Sequence, residues 1–196
     1  MVFLIGLPAS LALVVLSESL IATLFYQGKL TARDVQMAGM SLAAYGVGLL
    51  GHMLVKVLAP GYFARQDTKT PVRFGIITLV ANMVLNLALV WHFQHVGLAL
   101  ATSLAAFLNA GLLWAGLIRG GHFRLPNGWW KFMLQLLFAN GLMLWFLLWC
   151  LPEPSSWLAL QFWPRLGWML AICAGGAGIY GVALLVSGIR IRELMK

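Results

Sequence analysis

Amide and hydroxyl side chains recur at helical spacing inside a strongly apolar part of the sequence. Thr78, Asn82 and Asn86 follow one another at intervals of four residues, which on an α-helix stacks them along one face. The next apolar stretch carries further oxygen-bearing side chains: Thr102, Ser103 and Asn109. Such oxygens suit a hard cation such as Na⁺, but they could equally hydrogen-bond between neighbouring helices. The residues alone leave both interpretations open.

Two charged side chains fall within long apolar segments, where an ionised group is costly and marks a candidate functional position. Glu18 lies between Ser17 and Ser19, and it either faces a water-filled cavity, pairs with a cation elsewhere, or lies at a wet outer interface. Lys56 precedes Pro60 by four residues, so its ammonium either snorkels to the interface or contacts a phosphate at the mouth of a cavity. Both residues are candidate substrate contacts.

Glycines cluster at two places. Residues 46 to 51 match the GxGxxG pattern, but no strand–turn–helix context surrounds them, so close helix packing is the interpretation. Residues 174 to 178 read Ala-Gly-Gly-Ala-Gly. There, Gly175, Gly176 and Gly178 either allow close helix approach or leave a groove that accepts a lipid chain.

Catalytic and metal-binding patterns are weak. His92 and His95 have the spacing of metal ligands, yet no cysteine or carboxylate lies close in sequence. Cys150 and Cys173 have no CxxC spacing. We therefore expect a protein that is not an enzyme.

The composition determines which elements carry these residues. The chain of 196 residues is 62% hydrophobic and 9% charged, against about 25% charged in soluble domains. Its apolar runs are continuous, which favours membrane-spanning helices over barrel strands. Six spans are predicted: 2 to 25, 36 to 59, 73 to 92, 97 to 118, 131 to 150 and 167 to 188. The fold class is thus an all-α, six-helix transmembrane bundle.

The basic residues predict an orientation. The net charge of +8 does not indicate nucleic-acid binding, because lysines and arginines lie between apolar segments. One alternate set of connecting segments, including the C-terminal tail, holds nine of them, and the other set, with Lys29, Arg33 and Arg165, holds three. The positive-inside rule makes the richer side cytoplasmic, which places both ends of the chain inside. Residues 151 to 166, rich in tryptophan and proline, are predicted as an external loop at the interface.

The first span has no charged flank at its start, because Met1 is followed directly by Val2 and Phe3. We expect that further sequence precedes it in the complete protein.

One stretch is specific enough to resemble a known family. Residues 56 to 73 read KVLAPGYFARQDTKTPVR, in which Pro60 and Gly61 end one helix while Asp67, Thr68 and Pro71 begin the next. The stretch resembles the cytoplasmic loop between the tenth and eleventh helices of the MurJ/MviN lipid II flippases. The polar positions and the six-span layout extend the resemblance over essentially the whole chain.

The resemblance implies a fold of fourteen helices in two lobes that works by alternating access. This chain would supply helices nine to fourteen. Residues 1 to 118 would form four helices of the second lobe, and residues 119 to 196 would form the final helix pair, which makes a groove for the lipid tail, and the cytoplasmic tail. The missing upstream lobe would carry the arginines that hold the pyrophosphate.

The resemblance also implies a Na⁺ site, since some family members bind Na⁺ between the seventh, eleventh and twelfth helices. The matching positions are Asn82, Asn86, the backbone carbonyl of Leu98, and Thr102. A carboxylate of some relatives is an amide at Asn86, which removes charge attraction for the cation. Membrane potential or a proton gradient are therefore alternative driving forces.

The function implied is the transfer of lipid II across the bacterial inner membrane, with lipid II, membrane lipids and the upstream lobe as partners. Export of another amphiphile or drug on the same fold is an alternative. A non-transporting membrane subunit is another.

Overall fold

The computed structural model describes residues 2–26, 31–120, 129–151 and 153–187. These ranges contain six α-helices and no β-strand. In chain order the helices are α1 Val2–Phe25, α2 Ala32–Phe63, α3 Lys69–Arg119, α4 Trp129–Cys150, α5 Pro154–Ala159 and α6 Phe162–Val186. All but α5 are long and apolar enough to cross a membrane, which confirms the all-α membrane fold.

The long helix α3 is two arms joined by a reversal at Gln94, whose φ of 49° and ψ of −125° lie outside the helical region. We call residues 69–93 arm α3a and residues 95–119 arm α3b. Gly97 meets the backbone of Leu89 near the reversal, while Gly116 meets the ring of Phe74 at the far ends. The arms therefore run antiparallel, and the two spans predicted at 73 to 92 and 97 to 118 correspond to them.

Small residues let α2 lie close to both neighbours. A Cβ added to Gly46 would lie 3.1 Å from the Val14 side chain on α1, and one added to Gly48 would lie 2.8 Å from the Cα of Ser103 on α3b. Two buried serines add hydrogen bonds to backbone carbonyls at these crossings. The packing interpretation of the GxGxxG stretch is confirmed.

The final pair, α4 and α6, packs antiparallel, and α1 lies beside it. Gln135 near the start of α4 donates to the Ser187 carbonyl after α6 at 2.6 Å. A buried cluster joins α1 to this pair through Leu16, Leu136 and Met143, while a second cluster joins α2 to α3. Helix α1 thus contacts both groups of helices, and the division at residue 118 stays a prediction.

The family-like stretch at 56 to 73 forms the end of α2, a short turn and the start of α3. Helix α2 continues past Pro60 to Phe63, so the expected helix end at Pro60 and Gly61 is corrected. Proline is tolerated when neighbouring groups satisfy the freed carbonyl, as in other membrane helices. Tyr62 is buried and donates its hydroxyl hydrogen to the Leu113 carbonyl at 2.8 Å, which ties α2 to α3b.

Asp67 begins α3 by accepting a hydrogen bond from the Thr70 backbone N–H at 3.0 Å. Hydrogen bonds from the Thr70 side chain and backbone hold the pKa of this carboxyl below its ordinary value. The prediction that Asp67 leads the chain into the next helix is confirmed, although the side chain of Thr68 makes no capping hydrogen bond.

The predicted external loop at 151 to 166 contains the short helix α5, and α6 already begins at Phe162 rather than at residue 167. Trp157 and Arg165 are each only 3% exposed. Neither side chain therefore faces lipid or water, while the interfacial position of the loop stays a prediction. Tertiary contacts with α1 bury both side chains.

The outward surface of the helices is apolar, as a bilayer requires. Trp91 near the reversal is 83% exposed, and large exposed aliphatic residues cover α3a: Val72, Ile76, Leu79, Val80, Met83, Val84 and Leu87. The basic residues Lys29, Arg124, Arg190, Arg192 and Lys196 lie outside the described residues.

Candidate functional site

Two amides on α3a lie in direct contact. The Asn86 Nδ2 donates to the Asn82 Oδ1 at 3.3 Å, and the Asn86 Oδ1 is buried without a hydrogen-bond partner among the described residues. An unpaired buried acceptor is costly unless a ligand or water satisfies it. This oxygen therefore fits the chemistry of a cation ligand.

Thr102 and Leu98 form a second pair on α3b, in which the Thr102 hydroxyl donates to the Leu98 carbonyl at 2.9 Å. The contacts of Gly97 with Leu89 and of Gly116 with Phe74 bracket both pairs, so Asn86 and Thr102 lie at similar depths on the facing arms. The structure thus joins the four predicted residues in two pairs, each within one arm. Whether they bind Na⁺ stays a prediction.

Glu18 lies on the wall of a cavity of about 230 Å³ between α1, α2 and α5. Ser17 and Ser19 line it beside the carboxylate, and Val35 and Trp157 line it from α2 and α5. The backbone of Glu18 is also where α1 comes closest to Gly39, because a Cβ there would lie 2.9 Å from the Glu18 Cα. Of the interpretations left open by the sequence, a cavity position agrees with this geometry.

Lys56 is exposed on α2, seven residues before the helix ends at Phe63. Its position near the end that carries residues 64 to 68 agrees with both interpretations, snorkelling and phosphate contact.

The three glycines of the last span have different surroundings. Gly175 packs against the ring of Phe146, where an added Cβ would lie 2.8 Å from Cζ. Gly178 has open space, with no heavy atom within 4 Å of an added Cβ. Gly176 alone of the three lines an apolar groove of about 350 Å³ between α1, α4 and α6. Gly175 thus agrees with the packing interpretation, and Gly176 agrees with the groove interpretation.

The groove is lined almost entirely by hydrocarbon. Pro8 and Leu16 contribute from α1, Met143 and Leu147 from α4, and Tyr180 from α6. The Tyr180 hydroxyl is not free inside it, because it donates to the Leu4 carbonyl at 2.6 Å. An alkyl or isoprenoid chain is the ligand that such a surface can accommodate.

Arg165 is a buried polar residue, which its place in the predicted loop at 151 to 166 did not indicate. Its guanidinium donates to the carbonyls of Ala22 at 2.8 Å, Leu158 at 3.0 Å and Leu160 at 2.6 Å, and it lies 5.4 Å from the centre of the Tyr26 ring. Trp157 adds hydrogen bonds to the Ser19 carbonyl and the Thr23 hydroxyl. We call this set of hydrogen bonds around the Arg165 guanidinium the clamp. The sequence feature that could have indicated it is the position of Arg165 directly before an apolar run.

Among the described residues, no group of three His, Cys, Asp or Glu side chains could hold a metal ion.

Comparison with known proteins supplies the family. The family model described as "Lipid II flippase MurJ" matches residues 1–166. The chain is 44% identical over 194 residues to a "Probable lipid II flippase MurJ" of Vibrio cholerae, covering 99% of this chain and 37% of that protein. A protein of the same description from Haemophilus influenzae is 39% identical, and the "Lipid II flippase MurJ" of Burkholderia cenocepacia is 37% identical.

The aligned part covers 38% and 37% of those two relatives and 100% and 96% of this chain. The chain therefore spans less than half the length of the curated relatives it matches. The helical topology, the 56 to 73 stretch and the family match agree, and the chain belongs to the MurJ family.

Proposed function

We propose that this chain forms part of a flippase that moves lipid II from the inner to the outer leaflet of the bacterial inner membrane by alternating access. The observation that carries the proposal is that an apolar groove lies beside a helix whose neighbour, α2, carries an exposed charged residue, Lys56. The groove of about 350 Å³ lies beside α1, and exposed Lys56 lies on α2, which packs against α1. A substrate with an anionic head and a long apolar tail requires both.

In this proposal the groove between α1, α4 and α6 holds part of the polyprenyl tail, with Gly176 leaving room for it. Lys56 contacts phosphate at the inner mouth, and Glu18 lines a wet cavity toward the outer side. The upstream lobe supplies the other wall of the pathway. The inner side is the one that carries residues 64 to 68 and 120, because the basic connecting segments gather there.

Asn82, Asn86, Thr102 and the Leu98 carbonyl are the residues that would hold Na⁺ as a coupling ion. The Asn86 Oδ1, buried and without a hydrogen-bond partner among the described residues, supports this assignment, while the neutral amide makes the attraction for a cation weaker than a carboxylate would. A proton gradient or the membrane potential is the alternative drive.

The Na⁺ assignment is tested by Asn86→Asp. The added charge should create or strengthen a rise in melting temperature in NaCl relative to KCl, and Asn86→Leu should abolish any such rise. Identical melting temperatures in both salts for Asn86→Asp would exclude this site.

The flippase function is tested by complementation. Residues 1 to 196 are joined to the upstream part of the Vibrio cholerae relative, and cells depleted of their own flippase are scored for survival. We expect survival, and we expect it to be lost when residues 56 to 73 are replaced by a sequence of equal hydropathy. Death despite a stable, membrane-inserted chimera would contradict the assignment and favour export of another amphiphile.

A further inference from the structure

One face of α2 carries polar side chains along the middle half of the helix. Ser41, Tyr45, His52 and Lys56 follow at spacings of four, seven and four residues, which places them on one side of the helix. Tyr45 is 48% exposed, and His52 and Lys56 are exposed. The exposed face of α3a is by contrast covered with aliphatic residues. The polar face of α2 is therefore not a lipid-facing surface of the same kind.

The depth of His52 makes this contrast sharper. Helix α2 has 32 residues, so His52 lies about 7 Å and Lys56 about 13 Å from its midpoint, against a hydrocarbon half-thickness of about 15 Å. A lysine at that depth can reach the interface through its long stem. An imidazole cannot, so His52 needs a polar environment at its own level.

One hydrogen bond defines which nitrogen of His52 is available. The ring Nδ1 lies 2.9 Å from the Gly48 carbonyl, and since a carbonyl only accepts, Nδ1 is the protonated nitrogen. The Nε2 is left to take a second proton or to meet a ligand. A ring that carries both protons is a donor at both nitrogens, so an Nε2–H can meet an anionic oxygen one helical turn from Lys56.

We propose that His52 and Lys56 together form a subsite for the phosphate or pyrophosphate group of the translocated substrate. Side chains four residues apart on a helix have Cβ atoms about 5–6 Å apart, so one pyrophosphate can contact both. The inference rests on the proposed function and adds a second residue and the class of ligand that the two residues bind.

Other charged groups on or packed against α2 lie away from His52. Glu18 on α1 meets α2 at Gly39, about 20 Å along the helix from His52. On α3, His92 and His95 flank the reversal, and Arg73 and Arg119 are near its two ends. At the start of α2, Asp34 lines a cavity with His95. Lys56 is thus the charged neighbour on the face of His52, and Asp34 at the far end would repel an anion.

The test uses the full chain, with histidines labelled in the ring, in nanodiscs of phosphatidylcholine. Inorganic pyrophosphate is added to one sample, and another is prepared with polyprenyl pyrophosphate in the bilayer. We expect a saturable NMR shift of the His52 ring, with His92 and His95 unmoved as references in the same protein.

Substitutions separate the two contributions. Lys56→Gln should weaken binding at least tenfold, as expected for loss of a charge-assisted contact, while Lys69→Gln, which removes the exposed lysine that begins α3, should not. His52→Lys should keep binding, which is then followed by the resonances of a label on Tyr45. A response to the lipid-linked probe alone would identify the membrane substrate as the source of the phosphate, and a response to both would identify the phosphate group itself.

The proposal is overturned if His52 does not shift with either probe, if His92 shifts equally, or if Lys69→Gln and Lys56→Gln weaken binding alike. Complementation by the chimera without any His52 shift would leave the flippase function standing and remove this subsite. A specific His52 shift with failed complementation would support the subsite and contradict the flippase function.

Discussion

Arg165 shows how one buried residue can hold three elements together. Its guanidinium binds carbonyls at the end of α1 and at the end of α5 while its own backbone begins α6. Helix ends leave carbonyls without intrahelical partners, and an arginine offers five donors in a fixed fork. The clamp therefore satisfies groups that lipid could not.

Replacing Arg165 by methionine keeps much of the side-chain volume but leaves these carbonyls without donors. We expect a loss of about 3 kcal/mol in the free energy of unfolding, because hydrogen bonds to charged groups are among the stronger ones. Unfolding in mixed micelles measures it. The exposed Arg119 replaced by methionine is the matched control, and an equal loss in both variants would contradict the clamp.

Asp67 lies outside the membrane-spanning helices, and its carboxylate should stabilise the folded protein in a way that depends on pH in the acid range. The hydrogen bonds from Thr70 lower its pKa from the ordinary 3.8, so the folded state favours the ionised form. The stabilisation is complete above that ordinary value and disappears as the pH falls through the lower folded value.

We therefore expect Asp67→Asn to melt below the parent protein at pH 6 and to match it near the acid limit of folding. Melting temperatures across this range, with the exposed Glu153→Gln as control, test the assignment. A constant difference at every pH would show that the carboxylate charge is not the cause.

Among the helix packings, the close approach of α2 to α3b depends on Gly48, because glycine has no side chain. The Ser103 hydroxyl donates to the Ala44 carbonyl at 2.6 Å in the same crossing, so the two backbones cannot separate without losing a buried hydrogen bond. Association of membrane helices relies on such close packing, since lipid is as apolar as the helix surfaces.

Gly48→Ala should destabilise the protein by about 1–3 kcal/mol, the usual cost of overpacking. Gly111→Ala in α3b is the control, because an added Cβ there meets no atom within 4 Å. Thermal unfolding in detergent compares them. Equal stability of the two variants would argue against a tight crossing at Gly48.

Across the whole molecule, the connecting segments sort to two ends. Residues 64 to 68 lie at the same end as the start of α4, because α1 runs antiparallel to α2 and Phe3, near the start of α1, contacts Trp129. The reversal at Gln94 and helix α5 lie at the other. The helix packing is the same for either orientation in the membrane. The distribution of basic residues predicts which end faces the cytoplasm.

The predicted orientation can be tested with single introduced cysteines, after Cys150 and Cys173 have been replaced by serine. Ala64→Cys should react with a membrane-impermeant thiol reagent in inside-out vesicles, and Ser156→Cys in intact cells, since both parent side chains are exposed. The opposite labelling pattern would reverse the orientation and exclude the inner-mouth role of Lys56.

The sequence by itself determined the membrane class, the span positions and the family, because continuous apolar runs and the 56 to 73 stretch are local features that need no partner. It also identified the close packing at Gly46, Gly48 and Gly51 and the role of Asp67. Tertiary structure decided which side chains are buried: Trp157 and Arg165 read as interfacial residues until α1 covers them, and Gly175, Gly176 and Gly178 separate only when their neighbours are known. Contacts between distant segments make these differences, and no local pattern encodes them.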